Sequence, residues 1–171
     1  MTRVLLITGA RSLATRPGAE AWARGLIAAA LAGVDLLIVG DAEGPDAWAY
    51  VEAARESLQT RRRLPVHMYY ARGSWAGRIY RYAPQSSDTP WCEHVPPYGT
   101  PQRQRLPLLR NAAMVRDIAA MRDAGAVVSV LALLDGIKVD APGKRATRGT
   151  EYTVGLARAA GLTVREEVWR G

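Results

Sequence analysis

The sequence has a single cysteine, two histidines and no run of about 18 consecutive apolar residues. The lone Cys92 excludes an internal disulfide, and such sparse cysteine usage is typical of proteins in reducing compartments. The missing apolar run excludes a transmembrane helix. The N-terminus also lacks the charged, apolar and small-residue segments of a secretory signal. We therefore expect a cytoplasmic protein without membrane contact.

Motifs for metal ions, nucleophilic catalysis and phosphate binding are equally scarce. Cys92, Glu93, His94 and the distant His67 offer possible ligand atoms, but zinc usually takes four clustered ligands and there is no second cysteine. We therefore predict no metal site. A Cys92–His94 nucleophilic pair has equally little support, because neighbours in sequence need not face each other. Neither a Walker A pattern nor a complete GxGxxG motif is present.

The composition is that of one folded domain. The chain has 171 residues, of which 49% are hydrophobic and 23% are charged. A chain of this length and composition can bury a sizeable core and does not belong to the disordered class. Because we find neither an internal repeat nor a low-complexity tract, we predict a single domain spanning residues 1–171.

Short apolar runs alternate with amphipathic helical patterns along the chain. The first run, residues 3–8, is apolar on both faces, which is typical of a parallel strand between two helix layers. The predicted strands are residues 3–8, 35–39, 64–70, 126–134 and 162–168. The predicted helices are residues 17–31, 45–60, 107–122 and 149–161. The alternation predicts an α/β fold: a Rossmann-like three-layer sandwich with a five-stranded parallel sheet, strand order 3-2-1-4-5, and helices on both faces.

Residues 71–105 break this alternation with a long irregular insertion. The wider segment 61–110 holds nine arginines, two acidic residues and, counted from Tyr69, seven of the twelve aromatic residues. Such a segment favours an anionic partner, either a nucleotide or a nucleic acid. The alternative is a solvated basic surface whose aromatic side chains anchor a long loop. The sequence leaves both interpretations open.

Three predicted strand-to-helix junctions share one edge of this sheet: residues 8–12, residues 40–46 and the start of the last helix near Gly149. In open α/β sheets, ligands bind beyond the carboxyl ends of the strands. Amides at a helix N-terminus suit phosphate, and Gly149 would let the backbone approach a ligand closely. The Thr150 hydroxyl would either cap the helix or bind an anion.

Four motifs at these junctions and at the third helix resemble those of one family. They are Thr8-Gly9-Ala10-Arg11, Gly40 to Ala47, Arg110-Asn111 with Met114-Val115, and Arg148-Gly149-Thr150. On these motifs the chain resembles the YspA-type branch (DUF2493) of the SLOG superfamily of Rossmann-like proteins, over most of its length except 71–105. That superfamily includes the lonely-guy (LOG) phosphoribohydrolases and the Rossmann domain of the DNA-processing protein DprA.

The resemblance implies a nucleotide or a nucleotide-derived ligand at the carboxyl edge of the sheet, and we predict no other cofactor. The predicted ligand-binding residues are Thr8, Gly9, Arg11, Ser12, Gly40, Asp41, Gly44, Asp46, Arg110, Asn111, Gly149 and Thr150. Arg11 and Ser12 would hold phosphate together with Gly149 and Thr150.

Two pairs of these residues have alternative roles. Asp41, which stands where the family has a glycine, and Asp46 would either hold ribose hydroxyls or order their own turn. In the first alternative, Arg110 contacts phosphate and Asn111 contacts the base or the ribose. In the second, Arg110 is a surface charge and Asn111 forms a hydrogen bond to a loop carbonyl.

Two further functions follow from the relatives that this resemblance brings in. Similarity to the lonely-guy enzymes implies an N-glycosidic hydrolase of nucleoside monophosphates, with Glu151 or Asp46 as the acid–base group. Glu151 follows Thr150 directly, whereas the family's glutamate lies two or three residues after the threonine, and each helical residue turns by about 100°. Similarity to DprA implies single-stranded nucleic-acid binding through residues 61–110. A second copy of the chain also stays open as a partner.

Overall fold

The computed structural model describes residues 1–71, 79–82, 91–93, 106–139 and 148–171. The strands are β1 (Arg3–Gly9), β2 (Leu36–Gly40), β3 (Val66–Tyr69), β4 (Ile79–Tyr82), β5 (Trp91–Glu93), β6 (Val127–Asp135) and β7 (Val164–Trp169). The helices are α1 (Ala19–Leu31), α2 (Pro45–Thr60), α3 (Leu106–Asp123), α4 (Gly136–Val139) and α5 (Arg148–Ala159), with a 3₁₀ helix at Arg11–Thr15.

The predicted parallel sheet is confirmed. Five strands lie in the order β3-β2-β1-β6-β7, and all four pairings between them are parallel. β1 pairs with β6 along its whole length, from Arg3 opposite Val127 to Gly9 opposite Leu133. From β1 the chain first continues to β2 and β3 on one side of the sheet and later to β6 and β7 on the other. The strand order therefore reverses between β1 and β6, which is the predicted switch point.

The sheet continues beyond β3 with two strands that the sequence does not predict. β4 and β5 lie within the predicted irregular insertion and pair antiparallel, with Met68 opposite Tyr80 and Tyr80 opposite Cys92. They have four and three residues, which is too short for a periodic pattern to reveal them. His94, which the sequence analysis considered as a metal ligand or as a partner of Cys92, lies outside the described residues.

Helices cover both faces of the sheet because the strands are apolar on both sides. Leu5 and Ile7 of β1 point into a core that they share with α1 and α2. Their neighbours Val4 and Leu6 point into the opposite core, which is formed with α3 and α5. This alternation explains why residues 3–8 form an unbroken apolar run. In the described segments no helix combines the length and the apolar character needed to cross a membrane.

Candidate functional site

A cavity of about 250 Å³ opens at the carboxyl edge of the sheet. Its walls come from the ends of β1 and β2, from the 3₁₀ helix and from the first turns of α2, α3 and α5. The lining residues are Thr8, Gly9, Ala10, Arg11, Ser12, Asp41, Ala42, Asp46, Ala71, Pro107, Arg110, Asn111, Gly149 and Thr150. Ten of the twelve residues predicted to bind ligand are among them. The three junctions therefore meet on one edge, as the strand order predicts.

Gly40, Gly44 and Glu151 are absent from this lining. A Cβ atom on Gly40 would lie 2.5 Å from Asp46 Oδ2 and 2.6 Å from the Arg110 guanidinium carbon. The absence of a side chain at Gly40 therefore allows Asp46 and Arg110 to pack directly against its backbone. Gly44 has a φ of +82° and is buried as the residue before α2. Glu151 is exposed on α5 and does not line the cavity, in line with the rotation expected from its position.

Gly9 lines the cavity but also has a packing role. A Cβ atom there would overlap the ring carbons of Pro45 and lie 3.2 Å from the carbonyl oxygen of Leu133. Pro45 is the first residue of α2, so the glycine lets α2 begin directly against the end of β1. The chain next hydrogen-bonds back to β6, from the Ala10 amide to the carbonyl of Leu133 at 2.9 Å.

Arg110 and Asp41 form a nearly buried ion pair across the cavity wall. Arg110 Nη1 donates to Asp41 Oδ1 at 2.5 Å, and the two side chains are only 9% and 10% exposed. Arg110 Nε donates to Asn111 Oδ1 at 3.0 Å. The other carboxylate oxygen of Asp41 accepts the amide of Ala71 at 3.1 Å, which joins the end of β2 to the end of β3. Arg110 is therefore an interior charge, and the alternative of a surface charge is wrong.

Asp46 is the most strongly perturbed acid in this wall. It is 3% exposed, and burial raises its pKa from an ordinary 3.8 to about 6, against the opposing effect of Arg110. The Arg110 Nη2 atom lies 3.8 Å from Asp46 Oδ2, and the amide of Ala42 donates to the same oxygen at 3.3 Å. Asp46 therefore orders its own turn, which is one of its two predicted roles, and the residue is also part of the cavity lining.

Asn111 fastens the first turn of α5 to α3. Its Nδ2 atom donates to the carbonyl oxygen of Gly149 at 3.1 Å and to Thr153 Oγ1 at 2.8 Å. Thr153 Oγ1 donates in turn to the Gly149 carbonyl at 2.9 Å, and Thr153 is fully buried. Both amide hydrogens of Asn111 are thus committed to the protein. The predicted alternative was a hydrogen bond to a loop carbonyl, but the carbonyl that Asn111 contacts lies in the first turn of α5, and Thr153 is an unpredicted third member.

The opposite wall presents groups that suit an anion. Arg11 is exposed and forms no ion pair with another described residue, although its charge lowers the pKa of Asp46. Ser12 follows it in the first turn of the 3₁₀ helix. Gly149 and Thr150 lie in the first turn of α5, where helix amides have no partner within the helix. The Thr150 hydroxyl was expected either to cap the helix or to bind an anion. Thr150 lies two residues inside α5, which excludes the cap position, and it is buried in the lining of the cavity.

Asp135 is a buried acid beside this wall that the sequence analysis did not single out. It ends β6 and is fully buried, and Arg16 Nε donates to its Oδ2 atom at 3.1 Å. Burial alone would raise the pKa of Asp135, but Ser12, Arg16 and the amide of Ile137 together hold it below its ordinary value. The Ser12 hydroxyl approaches the carboxylate without reaching hydrogen-bond geometry. The sequence signal that could have identified Asp135 is its position as an acidic residue at the end of the most apolar strand.

The basic segment 61–110 divides between two edges of the sheet. The three arginines at 61–63 precede β3 and therefore lie at its amino end, whereas Arg110 lines the cavity at the carboxyl edge. Arg62 donates to Asp35 Oδ1 at 2.6 Å, next to the start of β2. Within the described residues these arginines do not form one surface. Nucleic-acid binding through 61–110 thus stays a prediction that no described contact supports.

Neither the models of known protein families nor the curated protein sequences contain a match to this chain. Among the described residues, no group of three or more His, Cys, Asp and Glu side chains is arranged to hold a metal ion. The resemblance to the SLOG superfamily therefore stays a prediction, and the geometry of the cavity carries the functional argument.

Proposed function

We propose that this protein binds a nucleotide or a nucleotide-derived ligand in the cavity at the carboxyl edge of its sheet. The supporting observation is that three separate junctions, predicted from sequence as a phosphate-binding edge, line one cavity. Its position beside the β1–β6 switch point is where open α/β sheets hold their ligands. Its volume of about 250 Å³ lies just below the range of about 300–1,000 Å³ typical of small-molecule sites.

The phosphate would lie between Arg11 and the first turn of α5. Arg11 supplies a planar, permanently charged donor fork, and the Gly149 and Thr150 amides add the positive end of a helix dipole. The remainder of the ligand would then extend toward the ends of β2 and β3, where Asp41 and Ala71 form the wall.

A thermal-shift screen tests this proposal. Nucleoside mono-, di- and triphosphates and ADP-ribose are each added to the wild-type protein and to Arg11→Ala. A ligand at about 100 times its Kd stabilises a protein by about 2.7 kcal/mol. For a chain of this size that corresponds to a rise in Tm of about 5–11 °C.

Arg11→Ala should weaken binding by about 10- to 100-fold, the value of a hydrogen bond to a charged group. Arg63→Ala is the matched control, because it removes an exposed arginine at the opposite edge of the sheet. No Tm change across the whole panel, or equal losses in Arg11→Ala and Arg63→Ala, would count against this proposal.

A second candidate function is N-glycosidic hydrolysis of nucleoside monophosphates, which the position of Asp46 favours. Asp46 is part of the cavity lining and its carboxyl group has a pKa of about 6, which is suited to general acid catalysis near neutral pH. Glu151, the other predicted catalytic residue, is exposed and outside the lining. Incubation with nucleoside monophosphates, followed by chromatography for free base, tests this function. Release of base by wild type but not by Asp46→Asn is expected, and no release excludes it.

A further inference from the structure

We propose that Asp41 makes the cavity selective for ligands with a single phosphoryl group by neutralising Arg110. The inference rests on the proposed function, because it concerns how the same cavity discriminates between phosphate ligands. Asp41 is the residue at which this chain departs from the glycine of the motif that it resembles. Its contacts give that departure a physical consequence.

Arg110 is already engaged with protein groups at each of its three guanidinium nitrogens. Nη1 donates to Asp41 and Nε donates to Asn111, while Nη2 lies 3.8 Å from Asp46 Oδ2, within ion-pair range but beyond hydrogen-bond distance. An arginine binds phosphate through a fork of two parallel N–H donors, and here Asp41 holds one arm of that fork. Arg110 therefore lines the cavity with its charge already balanced by a carboxylate.

Asp41 cannot easily turn away to release that fork. Its second carboxylate oxygen accepts the amide of Ala71, so its two oxygens are held on opposite sides. The pair is nearly buried, and separating a buried ion pair leaves a desolvated charge without a partner. A phosphoryl group that displaced Asp41 from Arg110 would face both this cost and repulsion from the displaced carboxylate.

The charges of the described lining residues lead to the same result. Arg11 and Arg110 are balanced by Asp41 and Asp46 when all four are ionised, and only Arg11 lacks a paired carboxylate among the described residues. One phosphoryl group can be matched by Arg11 and the α5 amides. A second group directed toward α3 meets Asp41 instead of a cation. Discrimination by an unfavourable contact is a recognised way to obtain specificity.

The test compares AMP with ADP, and inorganic phosphate with pyrophosphate, by isothermal titration calorimetry. Wild type should bind each single-phosphoryl ligand at least about tenfold more tightly than its two-phosphoryl partner, the equivalent of about 1.4 kcal/mol. In Asp41→Asn the ratio should move by at least about tenfold toward the two-phosphoryl ligand, because Arg110 becomes available. Asp35→Asn, which removes a carboxylate paired with Arg62 at the opposite edge, should leave the ratio unchanged.

The double variant Asp41→Asn/Arg110→Gln identifies the group responsible. It should return the ratio to the wild-type value, because no cation remains to receive a second phosphoryl group. A double variant that keeps the gain overturns the inference. If Asp41→Asn does not fold because Arg110 is left unpaired, Asp41→Ser, whose smaller side chain leaves room for water, replaces it.

The wild-type measurement separates this inference from the proposed function. Equal affinity for one- and two-phosphoryl ligands overturns the selectivity and leaves ligand binding intact. Binding of none of the four compounds overturns the selectivity as well, and the absence of any Tm change across the nucleotide panel is what overturns the proposed function itself.

Discussion

Replacing Asp46 with asparagine should change how the stability of this protein depends on pH. Burial raises the pKa of Asp46 from 3.8 to about 6, so between these values the folded protein holds a proton that the unfolded chain releases. The stability contributed by protonated Asp46 is therefore fully present below pH 3.8 and is lost as pH rises through 6. At about 1.4 kcal/mol for each pH unit, the full loss is about 3 kcal/mol.

The assay is urea unfolding of wild type and Asp46→Asn at intervals from about pH 4 to pH 7.5. The difference in unfolding free energy, variant minus wild type, should rise by up to about 3 kcal/mol across this range, since asparagine does not titrate. All other groups titrate in both proteins and largely cancel from the difference. Asp123→Asn, at an exposed position on α3, is the control for loss of a carboxylate at the surface. A difference for Asp46→Asn that is flat with pH, or no larger than that of the control, would refute the conclusion that burial controls this carboxyl group.

Three other substitutions test the cavity wall by urea unfolding. Gly9→Ala should lower the free energy of unfolding by about 1–3 kcal/mol because its Cβ meets Pro45. Gly25→Ala, which has open space on an exposed helical face, should raise it by about 0.5–1 kcal/mol. Changes of the same sign in both variants would contradict the packing described for Gly9. Thr153→Val should lower the free energy of unfolding by about 1–3 kcal/mol because it leaves buried hydrogen-bonding groups unpaired. Thr153→Ser, which keeps the hydroxyl, should retain most of the wild-type stability. Equal losses in the two variants would show that the hydroxyl does not contribute. Because the pKa of Asp135 is lowered, its contribution is present above its unfolded pKa and is lost as pH falls through the folded value. Asp135→Asn should therefore lose stability at neutral pH and less in acid, and a pH-independent loss would show that charge is not the cause.

The central strands β1, β2 and β6 could be predicted because most of their residues are buried and form short apolar runs. The more polar strands β3 and β7 could be predicted only from the alternation of strands with helices. Two strands escaped prediction because they have no periodic pattern of their own: β4 pairs with the edge of β3, and β5 pairs with β4. Most of the cavity lining could be predicted as well, since small and polar residues directly after apolar strands indicate the ligand edge.

The contacts inside that lining could not be predicted. Arg110 and Asp41 are 69 residues apart, and Asn111 and Gly149 are 38 apart, so only the folded chain brings them together. Asn111 also faces inward on α3, where an argument from apolar periodicity places aliphatic side chains. Gly40 shows the same limit, because its small size serves Asp46 and Arg110 instead of a ligand.

The pairing of Gly9 with Pro45 has a consequence for the thermodynamics of ligand recognition. Strand β1 and helix α2 meet there with no room for even one methyl group, and Gly9 is part of the cavity lining. The conformational entropy needed to shape this part of the lining is therefore lost when the chain folds and is not lost again on association. Affinity in such a preorganised site is limited by desolvation and by the fit of the polar contacts rather than by ordering of the backbone.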